Sequence, residues 1–357
     1  MFRMHKLLGC TTSVVMAMFV GRADGALTFN FTSTGNAQAD AGFAAAGALW
    51  SNLFSDNITI NITAGFSALG SGVIAQAGSN SLGVLYTNTR NALITDRTTP
   101  DDFTATASLP ITSAITFFAN ARDGSLILDN NGSANNSVLD VNRANAKALG
   151  LLAGNASGED ASITFSSTFA FDFDRSNGIA NNQFDFIGVA AHEIGHAMGF
   201  VSGTDTYDAV SGLNGPDRNT DLNGSASGIG TLDNFRVLSV LDLYRYRTDT
   251  GPGTRNVAYG GVTYTSIDGG VTSLGLMSTG SFNGDGRQAS HFKDNLSIGL
   301  MDPTFSFGEL GIIRTADIRA FDTIGYNLIP EPTLICVLSI GTIIVLRRPK
   351  HVPTQCA

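Results

Sequence analysis

The chain has 357 residues, 43% hydrophobic and only 14% charged, with a formal net charge of −9. This length fits one large or two ordinary domains, and the acidic balance argues against nucleic acid as a partner. All three cysteines, Cys10, Cys336 and Cys356, lie outside residues 27–329. That body therefore has no internal disulfide, and bound metal is the cross-link that remains available.

The N-terminus predicts a secretory signal peptide over residues 1–25. Arg3 and Lys6 precede a mostly apolar run from Leu7 to Val20, and small residues follow it. This order is typical of a signal removed by signal peptidase, here near Gly25 or Ala26. A membrane anchor is the alternative, but the run is short for a span, which needs about 20 residues.

The first part of the body predicts a helix and then strands. Residues 39–55 are Ala-rich and place Phe43 and Trp50 on one side of a helix. Residues 57–64 alternate apolar and polar side chains, as a strand does. Further elements are expected as strands near 81–86 and 125–128, a helix over 136–152, and a strand or hairpin over 161–174. The last of these is also a candidate to hold an extended substrate by strand addition.

Two Asx-rich loops space their oxygen atoms as calcium-binding loops do. Their candidate ligands are Asp172, Asp174 and Asn177 in the first loop, and Asp217, Asn219 and Asp221 in the second. Neither loop completes the EF-hand pattern, which has Gly at the sixth place and Glu at the twelfth. A plain Asx-rich turn is the competing interpretation, so Ca²⁺ is a candidate ion only.

The most specific feature is His192-Glu193-Ile194-Gly195-His196, within an apolar segment that predicts a helix from Asp185 to Gly199. Two histidines four residues apart project from one helix face and can ligate one zinc ion. Glu193 then lies beside the metal, where it can move a proton from bound water to a leaving amine. A chance occurrence is the alternative, and the absence of any other charged residue between Phe186 and Met198 argues against it.

The rest of the body predicts less regular structure. Residues 201–230 are rich in Gly, Asn and Asp and are expected to be irregular. Ordered structure is expected over 232–247, strands and turns over 262–277, and a last helix over 315–324 that Gly325 ends. Because no clean linker divides the body, residues 27–329 are predicted to form one catalytic unit.

A catalytic zinc needs a third protein ligand and one open position. The compact extension of the motif would place this ligand at Ser202, whose hydroxyl is a poor zinc ligand. Asp205, Asp208, Glu309 and His291 remain as candidates. The body contains three histidines, and His291 is the one outside the motif, which favours it as the third ligand.

Residues 192–326 resemble the leishmanolysin-like metzincins in the order of their motifs. HExxHxxGF is followed by an insert, then Ser290-His291-Phe292, then Leu300-Met301, then the last helix. The resemblance implies a zincin fold, with a mixed sheet, an active-site helix and two lobes around a zinc cleft. It also implies that Met301 packs beneath the metal without ligating it. The long insert and Phe292, where the family has Trp, depart from the pattern.

The C-terminus resembles the PEP-CTERM sorting signal of Gram-negative bacteria over residues 330–350. Pro330-Glu331-Pro332 precedes an apolar stretch at 333–346 and the pair Arg347-Arg348. The resemblance implies processing by an exosortase and transient contact of 333–346 with the inner membrane, the basic pair staying cytoplasmic. A single-pass anchor is the alternative, and the tail to residue 357 is longer than usual.

The sequence thus predicts an exported α+β zinc endopeptidase acting on protein or peptide substrates at the cell surface or in the extracellular matrix. One alternative is a structural or binding protein on a degenerate zincin fold, which the retained Glu193 disfavours. Another is an amidase on cell-wall or polysaccharide-linked substrates, which shares the metal chemistry. Candidates for stabilising an oxyanion are Tyr207, Tyr244 and Tyr264.

Overall fold

The computed structural model describes residues 26–216 and 232–330. The predicted signal peptide, the second Asx-rich loop with Asp217, Asn219 and Asp221, and the sorting segment beyond Pro330 lie outside these residues. Helices and strands alternate along the described chain, which confirms the mixed α and β class.

The helices lie throughout the described chain. They are α1 (Ala37–Ser51), α2 (Tyr86–Asp96), α3 (Pro100–Ala107), α4 (Ala134–Ser137), α5 (Arg143–Ala148), α6 (Phe186–Met198), α7 (Thr204–Val210) and α8 (Thr315–Thr323). Among residues 26–216 and 232–330, no helix combines the length and apolar character that a membrane crossing requires.

The strands are short and form several small sheets. They are β1 (Thr28–Phe31), β2 (Thr59–Ser67), β3 (Ala75–Ser79), β4 (Ser81–Leu85), β5 (Phe117–Asn120), β6 (Leu126–Asp129), β7 (Val138–Asn142), β8 (Ala161–Ser166), β9 (Phe171–Asp172), β10 (Phe184–Asp185), β11 (Arg245–Arg247), β12 (Arg255–Asn256), β13 (Thr263–Thr265) and β14 (Gly275–Met277). Apart from the four-stranded sheet, these strands make the sheets β4-β7, β9-β10, β12-β5-β6 and β11-β13-β14.

The four-stranded sheet supports the helix of the zinc motif. Its order is β1-β2-β8-β3, with β1, β2 and β8 parallel and β3 antiparallel at one edge. Helix α6 lies against β3 and β8, and α1 packs beside α6. The rings of Phe43, Phe165 and Phe186 meet between these elements, with centroids 4.4–5.4 Å apart. The Trp50 indole of α1 donates a hydrogen bond to the Ala191 carbonyl of α6 at 2.9 Å, so α1 holds α6 in place.

Several predicted elements are confirmed with shifted bounds. The helix expected over 39–55 is α1, which begins earlier because Asn36 caps it by accepting from the amides of Gln38 and Ala39. The strands expected over 57–64, 81–86 and 125–128 are β2, β4 and β6. The strands over 262–277 are β13 and β14, and the last helix is α8, after which Gly325 takes a positive φ of 105°.

The helix predicted over 136–152 is wrong for most of its length. Residues 138–142 form β7, which pairs antiparallel with β4. The helical parts of the predicted range are residues 136–137, at the end of α4, and α5 (Arg143–Ala148). Leu139 and Val141 of β7 are fully buried in the hydrophobic core. The error arises because a short apolar run fits a buried strand as well as a helix, and the partner strand decides between them. The region expected to be irregular also contains the short helix α7.

The stretch 161–174 is a strand only to Ser166, as β8, and does not continue as a hairpin. Phe171–Asp172 instead form β9, which pairs in parallel with β10 just before α6. Since β8 lies between β2 and β3, both of its edges are occupied. The expectation that it accepts a substrate strand is therefore wrong, and β3 is the strand with a free edge on that side of the sheet.

Candidate metal centre

Helix α6 presents His192 and His196 on one face, as the motif spacing requires. Gly199 ends the helix with a φ of 123°, which a residue with a side chain rarely adopts. Asp185 stands at the N-cap with extended backbone but makes no capping hydrogen bond there. Its carboxylate instead accepts hydrogen bonds from Arg175 and from the amide of Gly311, so it ties the start of α6 to the later chain.

His291 joins the two helix histidines from a segment without regular secondary structure. The Nε2 atom of His196 lies 3.0 Å from that of His192 and 3.1 Å from that of His291, and the third pair is 3.3 Å apart. Two nitrogens that bind one zinc at about 2.0–2.1 Å in tetrahedral geometry lie about 3.3 Å apart. The spacing of the three nitrogens therefore fits a shared metal ion.

Hydrogen bonds at the opposite ring nitrogens decide which nitrogens face the centre. His192 Nδ1 lies 2.9 Å from the Leu300 carbonyl, His196 Nδ1 2.7 Å from that of Phe200, and His291 Nδ1 3.2 Å from that of Gln288. A carbonyl only accepts, so each Nδ1 carries the proton and each neutral ring turns an unprotonated Nε2 inward. Three lone pairs that face one another at this distance repel unless a cation lies among them.

Burial keeps these rings neutral. Desolvation lowers the pKa of His192 to about 4 and of His196 to about 3, with a further contribution at His196 from His192. It also lowers the pKa of His291 well below its ordinary value, to which the other two histidines add. Neutral imidazoles are the form that binds zinc.

Met301 is fully buried next to helix α6, and its place beneath a bound metal stays a prediction. A Cβ on Gly195, between the two helix histidines, would lie only 2.5 Å from the Met301 Sδ. The glycine thus lets the methionine approach the helix closely. Asp317 of α8 holds the turn at Met301, because its carboxylate accepts from the amides of Leu300 at 2.7 Å and Met301 at 3.1 Å. Sequence reasoning missed this role, since nothing local marks Asp317 as a partner of the turn.

Glu193 lines a cleft of about 850 Å³ together with the three histidines. Its side chain is largely buried, and desolvation raises its pKa to about 8. Within the described part of the chain no group hydrogen-bonds to its carboxylate, which leaves both oxygens free to meet a ligand in the cleft. The edge strand β3 lines one wall of the cleft, and residues 287–288, 290–291 and 303–305 line others.

The rival third ligands point elsewhere. Asp205 accepts hydrogen bonds from Ala289 and Ser290, and Asp208 accepts from the amides of residues 282 and 283. Glu309 accepts from the Ser306 amide within its own loop. Ser202 donates its hydroxyl hydrogen to Asp242 at 2.6 Å. Among residues 26–216 and 232–330, one group of at least three His, Cys, Asp or Glu side chains has its potential ligand atoms within 4.8 Å of one another. This group is His192, His196 and His291.

The other sequence candidates lie away from the cleft. Tyr207 and Tyr244 are buried in the core, and the Tyr264 hydroxyl donates to the Gly270 carbonyl at 2.7 Å. None of the three lines the cleft in the part of the chain that is described, so the expectation that one of them stabilises an oxyanion gains no support.

In the first Asx-rich loop, the side-chain oxygens of both aspartates accept hydrogen bonds from backbone amides of the loop. Asp172 accepts from the amides of Asp174 and Ala180, and Asp174 accepts from the Ser176 amide at 2.9 Å. Asn177, with its amide nitrogen turned to the carbonyls of Asp174 and Gly178, donates to both. These are the hydrogen bonds of an Asx-rich turn, and calcium binding here stays a prediction.

Comparison with protein-family models, curated proteins and solved structures finds no match for this chain. What can be said of its function therefore rests on its own residues and their geometry.

Proposed function

We propose that this protein is a zinc-dependent endopeptidase whose catalytic unit has the two-lobed, leishmanolysin-like metzincin arrangement. One observation carries the proposal: three unprotonated Nε2 atoms converge within 3.3 Å beside a glutamate that faces an open cleft. A histidine cluster that served only packing would have no reason to turn three lone pairs together.

His192, His196 and His291 would hold the metal ion. A zinc ion bound by three protein ligands supplies a Lewis acid that polarises a scissile carbonyl and acidifies water. The carbonyls of Leu300, Phe200 and Gln288 orient the three rings through their Nδ1 protons. Outer partners of this kind fix the tautomer and raise the basicity of the ligand nitrogen.

Glu193 would move the proton. Its carboxylate follows the first ligand along α6 and faces the cleft. There it accepts a proton from the attacking water and delivers it to the amine that leaves when the peptide bond breaks. The role needs oxygens without structural partners, and Glu193 has no hydrogen-bond partner among the described residues.

An extended peptide is the substrate that the cleft fits best. The outer edge of β3 borders the cleft, and residues 72–77 and 79 line it. An edge strand offers unpaired backbone N–H and C=O groups, which bind an extended chain by adding it as a further strand. Export through a signal peptide and a PEP-CTERM-like tail remains part of this proposal and is supported by the sequence alone.

The proposal is tested with the purified protein by measuring its metal content and its hydrolysis of casein, with and without a chelator. We expect one zinc per chain, loss of hydrolysis with the chelator, and recovery when zinc is returned. Zinc binding without hydrolysis of any protein or peptide would favour the structural or binding alternative. A protein that binds no zinc would refute the metal centre itself.

A further inference from the structure

His291 depends on its surroundings in a way that the two helix histidines do not. His192 and His196 are placed by a regular helix, whereas His291 follows a turn at residues 289–290. Its Nε2 nevertheless lies 3.1 Å and 3.3 Å from theirs. This turn connects exposed residues to the buried His291. His291 can keep its position only if other groups hold the backbone of the turn.

The carboxylate of Asp205, in α7, holds this turn through hydrogen bonds. One carboxylate oxygen accepts from the Ala289 amide at 2.6 Å, and the other accepts from the Ser290 amide at 3.1 Å and from the Ser290 hydroxyl. The Ser290 hydroxyl in turn accepts from the Ser202 amide at 2.9 Å. One side chain thus fixes the two residues that directly precede His291.

Arg245 holds the carbonyl end of the peptide group between Ala289 and Ser290. The Ala289 carbonyl accepts from Arg245 at 3.1 Å, while the amide of that same peptide, on Ser290, donates to Asp205. Arg245 is 1% exposed, and it also donates to the Ser278 carbonyl at 2.7 Å. A peptide group that is hydrogen-bonded at both its carbonyl and its amide has little freedom to rotate, so the direction of the chain into His291 is set.

A second buried acid, Asp242, accepts hydrogen bonds from the chain that directly follows helix α6. Asp242 accepts from the Ser202 hydroxyl at 2.6 Å and from the Gly203 amide at 2.8 Å, just after the end of α6. Ser202 also donates its amide hydrogen to the Ser290 hydroxyl, so these contacts join the chain after His196 to the chain before His291.

We propose that Asp205 is a positioning residue that holds His291 in its ligand position and thereby sets the affinity of the centre for metal. The inference rests on the proposed metal site and adds to it a residue that does not touch the ion. Both Asp205 oxygens already accept hydrogen bonds from Ala289 and Ser290, so it acts through His291. Loss of such an outer partner typically lowers metal affinity about 10–100-fold.

Asp208 provides a matched control on the same helix. It is 1% exposed, and its carboxylate accepts from the amides of Phe282 at 2.8 Å and Asn283 at 2.7 Å. It therefore accepts hydrogen bonds from a backbone turn as Asp205 does, but this turn carries no candidate metal ligand. Asp205→Asn and Asp208→Asn each replace an acceptor of two amides by a group that accepts less well, without a large change of volume.

The test measures two quantities for the parent protein and both variants: amide hydrogen exchange in the metal-free form, and zinc affinity by competition with a chelator. Asp205→Asn should speed exchange at Ala289 and Ser290 and lower zinc affinity about 10–100-fold. Asp208→Asn should speed exchange at Phe282 and Asn283 and leave zinc affinity within about threefold of the parent, because that turn bears no ligand. If Asp205→Asn does not fold, Ser290→Ala removes the hydroxyl that donates to Asp205 and accepts from the Ser202 amide, and it should lower zinc affinity by a smaller factor.

Each outcome decides the inference. Equal losses of affinity in the two aspartate variants would show a general structural effect and overturn it. Faster exchange at Ala289 with unchanged zinc affinity would also overturn it, because His291 would then not depend on the turn. Either result leaves the proposed peptidase standing if the parent binds zinc. A parent that binds no zinc overturns the metal centre and the inference together.

Discussion

Substitutions at Glu193 and Glu309 test the proposed catalytic role of the Glu193 carboxylate. Glu193→Gln should keep zinc, since the three ligands are unchanged, and should lower hydrolysis by about 10²-fold or more through loss of the general base. Zinc content and casein turnover measure the two effects.

Glu309→Gln is the control for this substitution, because the Glu309 carboxylate accepts from the Ser306 amide in its own loop. It should leave both zinc content and turnover near those of the parent. Near-normal turnover in Glu193→Gln would show that another group moves the proton.

Substitution of Gly195 tests the close contact between helix α6 and Met301. A Cβ there would meet the Met301 Sδ at 2.5 Å, with the Phe321 ring 3.4 Å away behind it. Overpacking a core of this kind costs about 1–3 kcal/mol, which outweighs the gain of up to about 1 kcal/mol from replacing a helical glycine by alanine. Gly195→Ala should therefore lower the free energy of unfolding, measured with denaturant on the metal-free protein.

The same substitution should weaken zinc binding, because the turn at Met301 also carries the Leu300 carbonyl that orients His192. Gly65→Ala in β2 is the matched change, since no heavy atom lies within 4 Å of the added carbon. If Gly195→Ala were as stable as the parent, Met301 would be free to move and would not support the centre.

At the scale of elements, α8 carries a buried acid that couples stability to pH. Burial raises the pKa of Asp322 to about 7, and the nearby carboxylates of Asp102, Asp101 and Asp96 add to this. One Asp322 oxygen accepts from the Thr99 hydroxyl at 2.7 Å, and the other has no partner in the described structure. The folded protein therefore holds this proton more tightly than the unfolded chain does.

A raised folded-state pKa contributes stability below the unfolded value of about 3.9. That contribution is lost as the pH rises through about 7. Asp322→Asn should remove this loss and stabilise the protein at pH 8, on the order of 1 kcal/mol, with little effect at pH 4. Denaturant unfolding at the two pH values measures the difference. Equal effects at both values would show that Asp322 does not titrate in this range.

For the whole molecule, the end of the described chain is tied into the body. The Ile329 amide donates to the Leu53 carbonyl at 2.9 Å, and the Tyr326 hydroxyl donates to the Met198 carbonyl of α6 at 2.8 Å. We expect that removal of residues 330–357 leaves a folded body with zinc and activity, because these contacts all precede the cut.

Thermal unfolding and zinc content of the truncated protein test this expectation. Cell fractionation tests the proposed sorting role of residues 330–357: the full chain should reach the inner membrane during export, and the truncated chain should not. Unfolding of the truncated protein would mean that the tail packs on the body.

The sequence by itself determined the local half of the site. His192, Glu193 and His196 lie within one helix, so their spacing alone places two imidazoles on one face. The last helix and the early strands were also predicted, because their periodic patterns do not depend on distant partners. For His291 the sequence favoured one candidate by the scarcity of histidine, and it could not place that residue.

Only the tertiary structure decided the rest, because the remaining contacts join residues far apart in the chain. The residues of the His196–His291 pair are separated by 95 positions, and those of the Asp205–Ser290 contact by 85. The strand β7 was mistaken for helix because its pairing with β4 lies outside any local window. Likewise, β3 borders the cleft because of its place in the sheet order, a property of several strands together that no single stretch of sequence contains.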